Sequence, residues 1–187
     1  MTTTLFTNAH IATGEPGSTA ASTLPLQDIL VTDGVFTAFG PGLAQQYEAQ
    51  GGDPAAIEVV DLGGKLVCPP FCDTHLHLDY VFTARKPGAV NESGTLFEGI
   101  QRWSETKSDL TVDEIKQRAK IGIKKEMLHG VQLIRSHADV TDPNLTSLKA
   151  LLELKEELKD TVTLQIVSFP QEGMYSYEGP HGESGAE

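Results

Sequence analysis

Apolar and polar positions divide the chain into two parts with different patterns. In residues 1–64, short apolar runs are separated by Gly, Pro and Asp, which is typical of a small β-rich unit. Asp33-Gly34 stands between two apolar runs and predicts a hairpin. The strands predicted here cover residues 5–11, 28–32, 35–39 and 57–62, with a short helix over 43–50 and a loop over 13–25.

From Lys65 onward, strand patterns alternate with helix patterns. Thr111-x-x-Glu114 is a capping box that predicts a helix start, and Asp142-Pro143 predicts another. The alternation predicts an α/β fold whose parallel strands are joined by right-handed crossovers. Strands are predicted over 66–71, 131–136 and 161–168, a helix over 95–106, and helices from Thr111 to a stop at Gly130 and from Asp142 onward, the latter with Leu145, Leu148, Leu152 and Leu158 facing inward. The tail over 175–187 is predicted to be loop.

Polar residues follow each of the three predicted strands. His75 and His77 follow the first strand, and alternation along a strand places both side chains on one face. Two imidazoles on one face can bind one divalent metal ion. His137 ends the second strand and Gln171 follows the third. Because the active sites of parallel barrels lie at the carboxyl ends of their strands, we expect these residues to lie together.

Each of these residues also has a structural interpretation. A histidine pair can be surface decoration, and a zinc or iron site needs more protein ligands than two. His137 is more typical of a hydrogen-bonding residue beside a metal site than of a ligand, and Asp139 is similar. Gln171 could be a turn residue, or its amide could recognise the edge of a neutral ring. Glu172 could be a base, but adjacent strand positions point to opposite faces.

Composition limits the classes of function. The 187 residues suffice for one or two domains, and the net charge of -12 argues against a nucleic-acid polymer as partner. No secretory signal and no run of about 18 apolar residues is present, so we expect neither export nor a membrane span. Cys68 and Cys72 are too few and too close for a disulfide framework, which favours the cytoplasm. Both are predicted to pack in the core.

Four stretches of the second part carry a recognisable combination of motifs. They are Pro69-Pro70-Phe71 with His75-Leu76-His77-Leu78-Asp79, Ser93-Gly94-Thr95-Leu96-Phe97-Glu98-Gly99-Ile100 with Arg102-Trp103, Arg135-Ser136-His137-Ala138-Asp139-Val140, and Leu164-Gln165-Ile166-Val167 with Phe169-Pro170-Gln171-Glu172-Gly173. Together they resemble the bacterial cytosine deaminase branch of the amidohydrolase superfamily. The His-x-His motif is shared by the whole superfamily, whereas the combination is specific to this branch.

The resemblance implies a (β/α)8 barrel, or TIM barrel, that binds one divalent metal ion, iron or zinc. It implies that His75 and His77 are metal ligands, that Gln171 recognises the pyrimidine ring, and that the backbone at Leu96 lies against it. The implied reaction is hydrolytic deamination of a cytosine-like ring, so the expected partner is a small nitrogen heterocycle. Tyr80 stands where the branch has a small hydroxyl residue, so a creatinine-like or triazine-like ring remains an alternative.

The resemblance also implies residues that have no counterparts here. These are a metal-binding histidine on a fifth strand, an aspartate on an eighth strand, and the general acid/base glutamate, which we expect beyond residue 187. A barrel of this type needs about 250 residues. We therefore expect residues 1–64 to form a small β-sandwich portion and residues 65–187 the first three βα units. Alone, such a chain is expected to be inactive and to pair with a C-terminal half or a second copy; the alternative is a non-catalytic remnant that acts as a binding or assembly module.

Overall fold

The computed structural model describes residues 2–12 and 24–173. The predicted tail over 175–187 and nearly all of the predicted loop over 13–25 lie outside these residues. The chain divides into two compact units, with the boundary between Pro69 and Pro70. In the part that is described, no helix has the length and apolar character that crossing a membrane requires.

The first unit is a five-stranded sheet in which β1 lies antiparallel to β2 and parallel to β4 and β5. The hairpin predicted at Asp33-Gly34 is confirmed, since both residues adopt the positive φ values that tight hairpin turns require. The elements are β1 (Thr3–Ile11), β2 (Leu26–Thr32), β3 (Val35–Gly40), α1 (Leu43–Ala49), a 3-10 turn (Pro54–Ala56), β4 (Glu58–Asp61) and β5 (Leu66–Val67).

The single strand predicted over residues 66–71 is wrong. Leu66 and Val67 pair with β1 of the first sheet, whereas Phe71 begins a strand of the second unit. Pro69 and Pro70 separate the two, because proline has no N–H to continue a strand ladder. As a result, His75 lies inside a strand and not after one. The predicted domain limits, 1–64 and 65–187, stay a prediction.

The second unit contains a parallel sheet with strand order β6-β7-β8. The predicted alternation of strands and helices is confirmed, and each helical crossover returns the chain to a parallel neighbour. The elements are β6 (Phe71–Leu76), a 3-10 turn (Thr83–Arg85), α2 (Leu96–Lys107), α3 (Val112–Leu128), β7 (Val131–Asp139), α4 (Thr146–Glu157) and β8 (Thr163–Phe169).

The core of this unit lies between one face of the sheet and helices α3 and α4. Ile134 and Ala138 of β7 are fully buried against Ile123 of α3 and Leu151 of α4. On the opposite face, Arg135 of β7 and its partner Gln165 of β8 are exposed. Cys72 pairs with Leu133 on that face, so the prediction that it packs in the core is wrong.

The same prediction is wrong for Cys68. It is exposed because it lies in the proline-containing link that follows β5, outside both sheets. Neither cysteine is therefore a core residue.

The two predicted helix starts have different outcomes. At α3 the capping box is confirmed: Thr111 Oγ1 accepts from Glu114 N at 3.2 Å, and Glu114 Oε2 accepts from Thr111 N at 3.1 Å. At α4 the predicted start at Asp142 is wrong. The Asp142 carboxylate instead accepts from the N–H groups of Asn144 and Thr146, each at 3.0 Å, so it closes a turn before the helix begins.

The predicted inward face of α4 is also partly wrong. Leu151 and Leu154 are fully buried, whereas Leu152 is 50% exposed. Leu148 and Leu158 pack against the core, as predicted, so the inward side of α4 follows the spacing Leu148, Leu151, Leu154 and Leu158.

Leu151→Ala is therefore expected to lower the free energy of unfolding by about 2–5 kcal/mol, because it removes buried methyl groups and leaves a cavity. Leu152→Ala is the matched control and is expected to cost far less. Urea unfolding followed by circular dichroism measures both. Equal losses in the two variants would contradict this face of α4.

Glu98 orders the loop that precedes α2. Thr95 Oγ1 accepts from Glu98 N at 3.3 Å and caps the helix. The Glu98 carboxylate accepts from the N–H groups of Glu92 at 3.0 Å and Ser93 at 2.7 Å. The pKa of Glu98 is lowered to about 2, and the hydrogen bonds from Ser93 make the largest contribution to this shift. The loop thereby places Leu96 at the start of α2.

The pKa of Glu98 in the folded chain lies below its ordinary value of 4.5. The stabilisation that the carboxylate provides is therefore complete at pH values above 4.5. We expect wild type to be more stable than Glu98→Gln at pH 7. This difference should shrink as pH falls from 4.5 towards about 2, where the carboxylate is protonated in the folded state. Denaturant unfolding at several pH values measures the difference, and a difference that does not change with pH would contradict the assignment.

Candidate active site

The carboxyl ends of β6 and β8, together with α2 and the loop before it, border a cavity of about 700 Å3. Of the residues singled out from the sequence, His75, His77, Leu96 and Gln171 line it. An apolar wall around them is formed by Tyr80, Trp103 and Phe169. The parallel strands therefore bring together side chains that are almost 100 residues apart in the chain, as expected for a site at strand ends.

The side chains of His75 and His77 lie on the same face of the chain, at the carboxyl end of β6. Their ring centroids are 5.2 Å apart. His77 Nδ1 lies 2.9 Å from the backbone carbonyl oxygen of His137. Since a carbonyl oxygen only accepts, Nδ1 carries the proton and Nε2 keeps a lone pair for a metal ion.

His137 contacts both histidines from the neighbouring strand. Its carbonyl orients His77, and its ring stacks on that of His75, with centroids 4.0 Å apart. Burial lowers the pKa of His137, with a further contribution from the charge of His75. Burial also lowers the pKa of His77. Both effects favour the neutral imidazole, which is the form that binds metal.

The histidine pair accounts for part of a metal site. Among residues 2–12 and 24–173, no three His, Cys, Asp or Glu side chains are grouped so that they could hold a metal ion. Zinc sites use three or four protein ligands. His75 and His77 therefore fit a divalent metal as two of its ligands, with an oriented ring at His77.

Tyr80 builds one wall of the cavity against a candidate ligand. Its ring stacks on His77 with centroids 4.5 Å apart and packs on Trp103 at 4.8 Å. Burial raises the pKa of Tyr80, and the charges of Asp79 and Asp139 raise it further. The phenol is therefore neutral and presents a bulky, largely apolar surface beside His77.

Two buried acids lie behind the cavity: Asp139, which the sequence suggested as a hydrogen-bonding residue like His137, and Asp79, to which it gave no role. Asp79 is fully buried, and its Oδ2 accepts from Asp139 N at 2.8 Å, which joins the end of β6 to the end of β7. Burial raises the pKa of Asp79 to about 6. The sequence signal for Asp79 was its place directly after His77-Leu78, in an otherwise apolar context.

Asp139 collects hydrogen bonds from three residues. Its Oδ2 accepts from Trp103 Nε1 at 2.6 Å and from Lys107 Nζ at 3.3 Å. Its Oδ1 accepts from Thr141 N at 2.8 Å and from Thr141 Oγ1 at 2.5 Å. The carboxylate thus connects α2 with the end of β7, and all its acceptor sites are used.

Gln171 and Glu172 lie in the turn after β8 and have different surroundings. Gln171 N donates to Phe169 O at 2.9 Å, and the residue lines the cavity. Glu172 Oε1 accepts from Lys107 Nζ at 2.6 Å. Lys107 gave no signal in the sequence, because a lysine in the last turn of a helix is typical of a solvated charge.

Comparisons with known proteins match the whole second unit. The model of the amidohydrolase family matches residues 58–187. The crystal structure of 5-methylcytosine deaminase from Klebsiella pneumoniae, liganded with 5-fluorocytosine, is similar, with a TM-score of 0.74 and 39% identity over 91% of this chain and 37% of that chain.

Two curated proteins are also similar. N-isopropylammelide isopropyl amidohydrolase from Pseudomonas sp. (strain ADP) is 35% identical over 62% of this chain and 30% of its own length. Pterin deaminase from Rhizobium rhizogenes (strain K84 / ATCC BAA-868) is 28% identical over 79% of this chain and 32% of its own length. The chain therefore spans about a third of the length of the curated relatives it matches.

These matches confirm the resemblance to the cytosine deaminase branch and the expected fold class, an α/β chain that corresponds to part of an amidohydrolase barrel with a β-rich start. Members of the family are generally metal-dependent, in keeping with the oriented histidine pair. By the family match over 58–187, the chain belongs to the amidohydrolase family.

Proposed function

We propose that this chain carries part of the active site of a metal-dependent amidohydrolase that hydrolytically deaminates a cytosine-like ring. The observation that carries the proposal is the shared cavity of His75, His77 and Gln171, in which the His137 carbonyl leaves His77 Nε2 free. The complete active site needs more metal ligands and a general acid/base, neither of which we assign to this chain. Those groups would come from a C-terminal half or a second copy.

The residues of the chain would act as follows. A divalent ion, iron or zinc, would lower the pKa of a water molecule if bound at this site. His75 and His77 would hold that ion, with His77 kept in one tautomer by the His137 carbonyl. Tyr80 and Trp103 exclude water from one wall of the cavity. The Gln171 amide can both donate to and accept from the edge of a neutral ring, and the backbone at Leu96 would lie against that ring.

The substrate class rests on the relatives and on the cavity. Two of the similar proteins are named as deaminases, of 5-methylcytosine and of pterin, and a third as an amidohydrolase of N-isopropylammelide. These names support a small nitrogen heterocycle. Tyr80 stacks on His77 and reduces the space beside the proposed metal position. A triazine-like ring should therefore be tested as a substrate together with cytosine.

Inactivity of the 187-residue chain on its own stays a prediction, as does its location in the cytoplasm. Purified chain without a second polypeptide is expected to show no turnover of cytosine, 5-methylcytosine or a triazine. Measurable ammonia release by that chain would contradict the expectation that its catalytic residues lie elsewhere.

His75→Ala and His77→Ala are each expected to reduce metal affinity by at least about tenfold, because each removes a proposed ligand. The purified chain is loaded with Zn2+ or Fe2+, dialysed, and its metal content is measured by mass spectrometry. His129→Ala is the matched control, since His129 is exposed at the end of α3 and its Nδ1 lies 2.7 Å from the nearby Lys125 carbonyl oxygen. Unchanged metal content in the first two variants would reject the assignment.

Gln171→Ala is expected to weaken binding of 5-fluorocytosine by about tenfold, because a buried ring edge loses its hydrogen-bond partner. Calorimetric titration of the metal-loaded chain measures the affinity. Gln165→Ala is the control, because Gln165 Oε1 accepts from Arg135 Nε at 3.1 Å on the exposed sheet face and does not line the cavity. Equal effects of the two substitutions would contradict the role of Gln171.

A further inference from the structure

We propose that Lys107 is a positioning residue, whose ammonium group holds two residues that line the cavity, Gln171 and Trp103, in place. The effect of Lys107 on substrate binding rests on the proposed function, whereas its effect on the structure rests on its own contacts. Lys107 itself does not line the cavity. It acts through the residues that it holds.

The ammonium group of Lys107 is mostly buried and uses all three of its donors. Nζ donates to Glu172 Oε1 at 2.6 Å, to Thr141 Oγ1 at 2.7 Å and to Asp139 Oδ2 at 3.3 Å. The Lys107 side chain is 12% exposed and that of Asp139 is 1% exposed. Since a buried charge is tolerated only when it is paired and hydrogen-bonded, this geometry indicates a specific arrangement of the three chain segments.

The first consequence concerns the turn that carries Gln171. This turn is held by backbone bonds from Gln171 N to Phe169 O at 2.9 Å and from Gly173 N to Pro170 O at 3.0 Å. The Lys107–Glu172 ion pair attaches the same turn to α2. Because Glu172 is the next residue after Gln171, the ion pair restricts where the Gln171 amide can lie.

The second consequence concerns the aromatic wall. Lys107 and Trp103 bind the same Asp139 oxygen, so the ammonium group stabilises the charge that Trp103 Nε1 also contacts. Trp103 in turn packs on Tyr80, which stacks on His77. A single ammonium group therefore supports the wall beside the proposed metal ligand as well as the proposed ring-binding amide.

A second lysine of the chain is about as buried as Lys107, lies elsewhere, and serves as its matched control. Lys116 of α3 is 14% exposed and forms ion pairs with Glu153, at 2.7 Å, and with Glu157, both of α4. It does not line the cavity. Replacing either lysine by methionine removes one positive charge and leaves two carboxylates without that ion-pair partner. A general loss of stability is therefore expected in both variants.

The structural part is tested by amide hydrogen exchange and tryptophan fluorescence. Trp103 is the only tryptophan of the chain, so the emission spectrum reports its surroundings directly. Lys107→Met is expected to accelerate exchange at the Gln171 and Gly173 amides by about tenfold and to shift the Trp103 emission. Lys116→Met is expected to change neither. Unchanged exchange in Lys107→Met, or equal changes in both variants, would overturn the proposal.

The functional part is tested by a double-mutant cycle on 5-fluorocytosine binding. Lys107→Met alone is expected to weaken binding by about tenfold, and to cause no further loss when Gln171 is already alanine. Additive losses would show that Lys107 does not act through Gln171 and would overturn the positioning role. If the wild-type chain does not bind 5-fluorocytosine, the proposed function fails, and the exchange result still decides whether Lys107 holds the turn and the wall.

Discussion

The hydrogen bond from His77 Nδ1 to the His137 carbonyl is the interaction on which the candidate site depends. It joins the proposed metal ligands at the end of β6 to the end of β7, and it can form only because the two strands run parallel and in this register. By occupying Nδ1 it leaves Nε2 as the nitrogen that can bind a metal ion. The stacked rings of His137 and Tyr80 then limit how the two candidate ligands can turn.

Behind this layer, buried charge constrains the ends of the strands. Asp79 and Asp139 have almost no solvent contact, yet each carboxylate binds backbone or side-chain donors from a neighbouring segment. Such groups are costly to bury unless their partners are placed accurately. The polar network formed by Asp79, Asp139, Thr141, Lys107 and Glu172 therefore specifies the relative positions of β6, β7, α2 and the turn after β8.

Local patterns in the sequence predicted much of this arrangement. Three of these patterns depend on neighbours within a few residues: the alternation of strands and helices, the capping box at Thr111, and the placing of His77 and Gln171 after strands. Two errors arose where distant contacts decide. Leu66 pairs with β1 and not with the second sheet, and Cys72 lies on the sheet face opposite α3 and α4. The error at α4 is local, because the Asp142 carboxylate accepts from Asn144 N and Thr146 N and closes a turn before the helix.

Lys107 illustrates why part of the site could not be predicted. Its partners Asp139 and Glu172 are 32 and 65 residues away, so only the folded chain brings them together. Tyr80 is different, because its departure from the family pattern was visible in the sequence, while its stacking on His77 was not. Residue types at strand ends were thus predictable, and the network that orients them was not.

The central claim is that His77 is held in one tautomer as a metal ligand beside His75. The most direct measurement is a long-range 1H–15N spectrum of the histidine rings, recorded on the 187-residue chain before and after addition of Zn2+. We expect a protonated Nδ1 and an unprotonated Nε2 for His77 in the free chain, and metal-induced shifts at the rings of both His75 and His77. A His77 ring protonated at Nε2, or rings that do not respond to Zn2+ while other histidines do, would contradict it.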